Sequence, residues 1–144
     1  MEIRVYGSED QAAVIQLWHD CGLTRPWNDP ARDIARKLAV QPELFLVGTE
    51  GARLIGSAMA GFDGHRGWIY YLAVAPDRRR QGHARRLVEA ACASLSRIGC
   101  PKVELMVRDQ NVDALAFYEA IGFETQPVRV YARRLIDDEE PQRS

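Results

Sequence analysis

The stretch Leu72-Ala73-Val74-Ala75-Pro76-Asp77-Arg78-Arg79-Arg80-Gln81-Gly82-His83-Ala84 constrains this chain more than any other. An apolar run stops at a proline, turns through consecutive arginines and opens onto an amphipathic pattern, which predicts strand, turn and helix in that order. A crossover of that kind requires a sheet with a helix packed on it, and so an α/β fold. The start of the helix has backbone N–H groups without intrahelical partners, and the aligned peptide dipoles make it a seat for phosphate. Gly82 and Ala84 keep the approach free of bulk.

The rest of the chain reads as one domain. With 144 residues, 47% of them hydrophobic, it can bury a core without staples. Nineteen basic against twenty acidic side chains leave a net charge of −1, which argues against nucleic acid or an anionic membrane as partner. The charges are nevertheless segregated. Arg78, Arg79, Arg80, Arg85 and Arg86 surround the turn and suit a small polyanionic cofactor, while Asp137, Asp138, Glu139 and Glu140 are acidic. The domain is expected to span 1–136, with 137–144 an acidic flexible tail. Cys21, Cys92 and Cys100 are odd in number and lack C-x-x-C spacing, so neither a disulfide framework nor a metal site is indicated. No segment approaches the ~18 apolar residues of a membrane span, and the N-terminus has no signal-like core, so a cytoplasmic location is expected.

Periodicity gives the elements. Ile3 and Val5 mark a first strand, after which Ser8 is expected to cap a helix through Trp18 that ends near Gly22. Asp29 or Pro30 starts a second helix to about Val40. Leu44–Val47 and Leu54–Ala60 flank a hairpin at Glu50-Gly51, and Phe62–Gly67 turns into a strand at Trp68–Val74. The main helix runs from Gln81 to about Ile98. Val103, Leu105 and Val107 alternate as a fifth strand, Asn111 caps a short helix ending at Gly122, and Val128–Leu135 gives a final strand that could pair with a second subunit as a homodimer.

Known phosphate turns can be compared with these letters. No P-loop run of Gly, four residues and Gly-Lys-Ser/Thr exists, and a dinucleotide fingerprint would need three glycines where only Gly82 stands. The pattern Arg79-x-x-Gly82-x-Ala84 resembles instead the Q/R-x-x-G-x-G/A pyrophosphate motif of the GCN5-related N-acetyltransferase (GNAT) family. A second signature supports it. Asn111-Val112-Asp113-Ala114-Leu115-Ala116-Phe117-Tyr118-Glu119-Ala120-Ile121-Gly122-Phe123 looks like the family's N-x-x-A-x-x-F-Y-x-x-x-G-F. The resemblance covers about Ile3 to Leu135 and is weakest between Thr24 and Pro42.

The resemblance implies a mixed, mostly antiparallel sheet of about seven strands flanked by four helices, with a cofactor cleft between strands 4 and 5. It implies direct transfer of the acetyl group of acetyl-CoA to a primary amine of a small molecule or protein, without metal. Leu72, Ala73 and Val74 would bind the pantetheine arm, and Arg79, Arg80, Gln81, Gly82, His83 and Ala84 the pyrophosphate, with Asn111 nearby. Tyr118 would donate a proton to the leaving thiolate. A glutamate base is commonly found on the fifth strand at the position of Met106, so Glu104, two residues earlier, becomes the candidate; Asp63 and His65 could act through water. Trp27, Asn28 and Asp29 would roof the acceptor, and Tyr70 and Tyr71, on opposite sides of their strand, would offer one tyrosine to the cleft. Loss of the glutamate keeps open an alternative, a non-catalytic acyl-CoA sensor.

Overall fold

The computed structural model describes residues 1–138. Its elements are β1 (Glu2–Val5), α1 (Gln11–Asp20), α2 (Pro30–Ala39), β2 (Phe45–Glu50), β3 (Arg53–Phe62), β4 (Gly67–Val74), α3 (His83–Arg97), β5 (Val103–Glu104) and α4 (Val112–Ala120). The five strands form one sheet in the order β1-β2-β3-β4-β5. All neighbours are antiparallel except β4 and β5, which α3 joins as a parallel crossover.

Alternation along the strands builds a core on each face of the sheet. Phe45, Val47, Ile55 and Met59 meet Val14, Leu17 and Trp18 of α1 and Ile34 of α2. Leu46, Ala60 and Ile69 face the other way, onto Val88, Ala91 and Leu95 of α3. Each fully buried leucine of α3 contributes roughly 2 kcal/mol by removal from water. The helix lies so close to the sheet that a Cβ at Gly56 would come within 2.8 Å of Leu87 Cδ1.

The start of α1 differs from expectation. Ser8 opens a 3₁₀ turn rather than capping a helix, and the acceptor there is Asp10, which takes the Gly7 N–H at 2.8 Å. Asp10 also pairs bidentately with Arg4 at 2.7 and 2.9 Å, and that hydrogen bonding lowers its pKa.

The strand count also needs correction, from about seven to five among the described residues. A strand survives only with a partner, and β5 ladders for just two residues, so it offers little edge for a further strand. Val128, Val130, Tyr131 and Leu135 lie where a final strand was expected, yet they are exposed and belong to no strand. In the expected acidic tail, Asp138 bridges to Arg36 at 2.8 Å and Arg32 at 3.2 Å, tying the end of the described chain to α2. Glu139 and Glu140 lie outside the described residues.

Candidate active site

The sheet opens where β4 and β5 part. They pair only at Gly67–Val103 and Trp68–Glu104; beyond Trp68 no strand among the described residues lies beside the β4 edge, and a cleft of about 760 Å³ follows. Ile69, Tyr70, Tyr71 and Leu72 form one wall and Leu105 to Arg108 the other, with Tyr118 of α4 between them and residues of α2 above.

A bulge shapes the first wall. Ser57 pairs with Ala73 but Met59 pairs with Tyr70, so Tyr71 and Leu72 together oppose Ala58. Tyr71 takes a positive φ of 52°, rare for a bulky residue. The strain is held by a chain of contacts from three other elements, α1, α2 and β3. Trp18 Nε1 donates to Ser57 Oγ at 2.9 Å, and Ser57 Oγ donates to the Tyr71 carbonyl at 2.7 Å. The Tyr71 ring stacks on Trp18 with centroids 3.7 Å apart, and its hydroxyl donates to Asp33 Oδ2 at 2.7 Å. Burial and that carboxylate both push the Tyr71 pKa far upward. Regular alternation allowed only one of Tyr70 and Tyr71 into the cleft; the bulge breaks the alternation, and both line it.

The arginine-rich turn leads from the end of this wall into α3. Gly82 is the N-cap with φ 80°, and the N–H groups of Gly82, His83, Ala84 and Arg85 donate to no group of the described chain. A Cβ at Gly82 would project into open space. His83 adds two buried ring nitrogens without partners. Free amides, an unobstructed approach and an unpaired strand edge are the donor set that a pyrophosphate on an extended arm needs, so the residues fit coenzyme A. The side chains contribute less. Arg78 is held by Glu50 at 2.7 Å and Asp77 at 3.2 Å, and Arg85 by Glu89 at 2.9 Å. Leu72 reaches the cleft, whereas the Ala73 and Val74 side chains are buried and leave only backbone for a ligand.

Tyr118 stands where its hydroxyl can act. Phe117 and Phe123 pack edge-on against its ring at 5.0 and 5.7 Å, and burial pushes its pKa up to about 12, so the phenol stays protonated at neutral pH. Asn111 lines the same cleft, but its Oδ1 caps α4 by accepting the Ala114 N–H at 3.2 Å.

Other sequence candidates lie elsewhere. Glu104 is outside the cleft wall and bridges to Arg66 at 3.5 Å and Lys102 at 3.7 Å, because β5 ends there and the period of two does not carry on to Met106. Asp63 accepts the His65 and Arg66 N–H groups and serves its turn. Asp29 caps α2 through Ala31 and Arg32, and Trp27 lies under the Arg108 guanidinium at 5.9 Å; of that loop, Asn28 and Arg25 line the cleft. Residues unmarked by any motif also line it, notably Asp33, Arg36 and Lys37 of α2. The helical period of three to four on the sheet side of α2 was the signal that could have found them.

Among the described residues no group of His, Cys, Asp and Glu could hold a metal, and no helix is long and apolar enough to cross a membrane. Comparison with known proteins agrees with the geometry. An acetyltransferase of Yersinia enterocolitica is 48% identical over 140 residues, covering 97% of this chain and 99% of that one. Ard1 from Thermoplasma volcanium superposes with a TM-score of 0.76 at 26% identity, over 87% of this chain and 83% of that one. AAC(6')-Iy, solved with the bisubstrate analogue CoA-S-monomethyl-acetylneamine, superposes with a TM-score of 0.78 at 18% identity, over 92% and 97%. Residues 12–123 match the Acetyltransferase (GNAT) family, and the chain belongs to that family.

Proposed function

We propose that this chain transfers the acetyl group of acetyl-CoA directly to a primary amine. The observation that carries the proposal is the parting of β4 from β5, which leaves an unpaired strand edge and Tyr118 lining one cleft, with the free amides of the α3 turn following in the chain from the end of that edge. When bound, acetyl-CoA supplies an activated thioester. Backbone groups of the bulged edge hold the extended arm, and the dipole of α3 complements the phosphates. Tyr118, whose phenol is neutral at working pH, hydrogen-bonds the departing thiolate and gives it a proton that solvent restores to the phenol. Among the described residues Asp33 is the one carboxylate lining the cleft, and it is committed to the Tyr71 hydroxyl and to Arg36. The acceptor therefore loses its proton to solvent through the open cleft rather than to a dedicated side chain.

The test is thiol release from acetyl-CoA with a panel of amines. Tyr118→Phe is expected to lower turnover about 10²-fold or more while leaving coenzyme A binding within about twofold. Unchanged turnover in that variant would remove Tyr118 from the chemistry. Tight coenzyme A binding with no thiol release across the panel would favour the acyl-CoA sensor.

A further inference from the structure

The cleft contains a largely buried cation without a partner among the described residues. Lys37 is 8% exposed, yet its ammonium makes no hydrogen bond and no ion pair with any described residue. Its place is the α2 wall of the cleft. Nζ lies against β3, 3.7 Å from where a Cβ of Gly61 would sit, and both Lys37 and Gly61 belong to the lining. Gln41, the other neighbour at that point, is committed to the backbone N–H and carbonyl of Phe62. Burial pushes the Lys37 pKa down, and the more distant Glu43 only partly offsets this. A partly desolvated ammonium without a counter-ion is costly, and one that still reaches the cleft is placed for a ligand to complete it.

The surrounding charges point the same way. Arg25, Arg36, Lys37 and Arg108 line the cleft against the lone acid Asp33. Asp138 and Asp33 neutralise Arg36, whereas among the described residues Arg25 meets only carbonyl oxygens and Arg108 only the Trp27 ring. A polycationic amine would enter a wall of its own sign. We propose that the acceptor carries a carboxylate beside its amine, as a free amino acid or short peptide does, and that Lys37 is the residue that binds this carboxylate. The assignment rests on the acetyl-transfer reading for its acceptor, but the subsite can be tested without turnover.

The experiment compares free amino acids and dipeptides with their C-terminal amides, in wild type, Lys37→Met and Lys37→Arg. In the turnover arm, wild type is expected to show a KM about 10- to 100-fold lower for the acid forms, a preference that Lys37→Met abolishes and Lys37→Arg largely keeps. The binding arm titrates N-acetylated amino acids and their amides into the protein with coenzyme A present, and the same Lys37-dependent preference for the acid is expected. Coenzyme A affinity and melting temperature should not fall in Lys37→Met, since the change removes only an unpaired buried charge. Equal binding of acid and amide, a preference that survives Lys37→Met, or a matching loss of coenzyme A affinity would overturn the assignment. Absence of thiol release with Lys37-dependent carboxylate binding intact would instead defeat the transferase reading and leave the subsite standing.

Discussion

Removing the Ser57 hydroxyl should unlock the β4 bulge. Ser57 and Trp18 are both fully buried, so no water replaces the hydroxyl in Ser57→Ala. The Trp18 N–H, now bonded at 2.9 Å, loses its acceptor, at a cost of about 1–3 kcal/mol; losing the 2.7 Å bond to the Tyr71 carbonyl adds about 1 kcal/mol. A total of roughly 3 kcal/mol corresponds to a fall of about 10 °C in melting temperature for a chain of this size. Tyr71 at φ 52° stores further strain, so the wall relaxes towards regular alternation and coenzyme A binding weakens with stability. Trp18→Phe alone should cost a similar amount through the lost indole contacts with Tyr71. In Ser57→Ala the same change also removes the orphaned donor, so the double variant should be less destabilised than the sum by about 1–2 kcal/mol. Thermal and urea unfolding of the four proteins measure this directly. Additivity within about 0.5 kcal/mol would refute the argument, because it would show that the hydroxyl does not couple the indole to the strand.

Gly82→Val should abolish measurable coenzyme A binding by calorimetry, since a β-branched residue resists φ 80° and its side chain would fill the open approach to the free amides. Arg78→Ala should weaken binding less than about threefold, its guanidinium being occupied by Glu50 and Asp77; equal losses would mean that side chains rather than amides hold the phosphates. Hydrogen bonds from Arg36 and then Arg32 lower the Asp138 pKa from 3.8 to about 2. A depressed folded pKa means that the stabilisation is complete above the unfolded value and fades as pH falls through the folded one. Asp138→Asn should therefore melt below wild type at neutral pH, with the gap closing between pH 4 and pH 2. A gap independent of pH would show that the ion pairs do not carry it.

The sequence was most legible where backbone conformation and residue type are tightly coupled. Asn111 and Asp29 as caps and the apolar periods of α3 follow from local rules that hold whatever the rest of the chain does, whereas the helix expected from Gln81 starts only at His83, after Gly82 has taken a left-handed N-cap conformation. The strand periods carried over less well, since a strand depends on a neighbour that the pattern does not identify. Val103, Leu105 and Val107 alternate correctly, but the ladder stops at Glu104 because β4 turns away. The same departure opens the cleft and leaves Glu104 outside its lining, so the displacement of that candidate and the existence of the cleft have one cause.

The α2 wall was hidden for another reason. Asp33, Arg36 and Lys37 read as charged residues on an amphipathic helix, and a charged helical face is ordinarily solvated. Tertiary packing gives each a different fate. Arg36 finds Asp138 about a hundred positions away in sequence, Asp33 finds the hydroxyl of a tyrosine displaced by a bulge, and Lys37 is buried with neither. Asp33 connects these roles, because it accepts from Tyr71 while pairing with Arg36 at 3.3 Å. The residue that steadies the donor wall thus sits one helical turn from the cation assigned to the acceptor, and α2 is where the two substrates' sites meet.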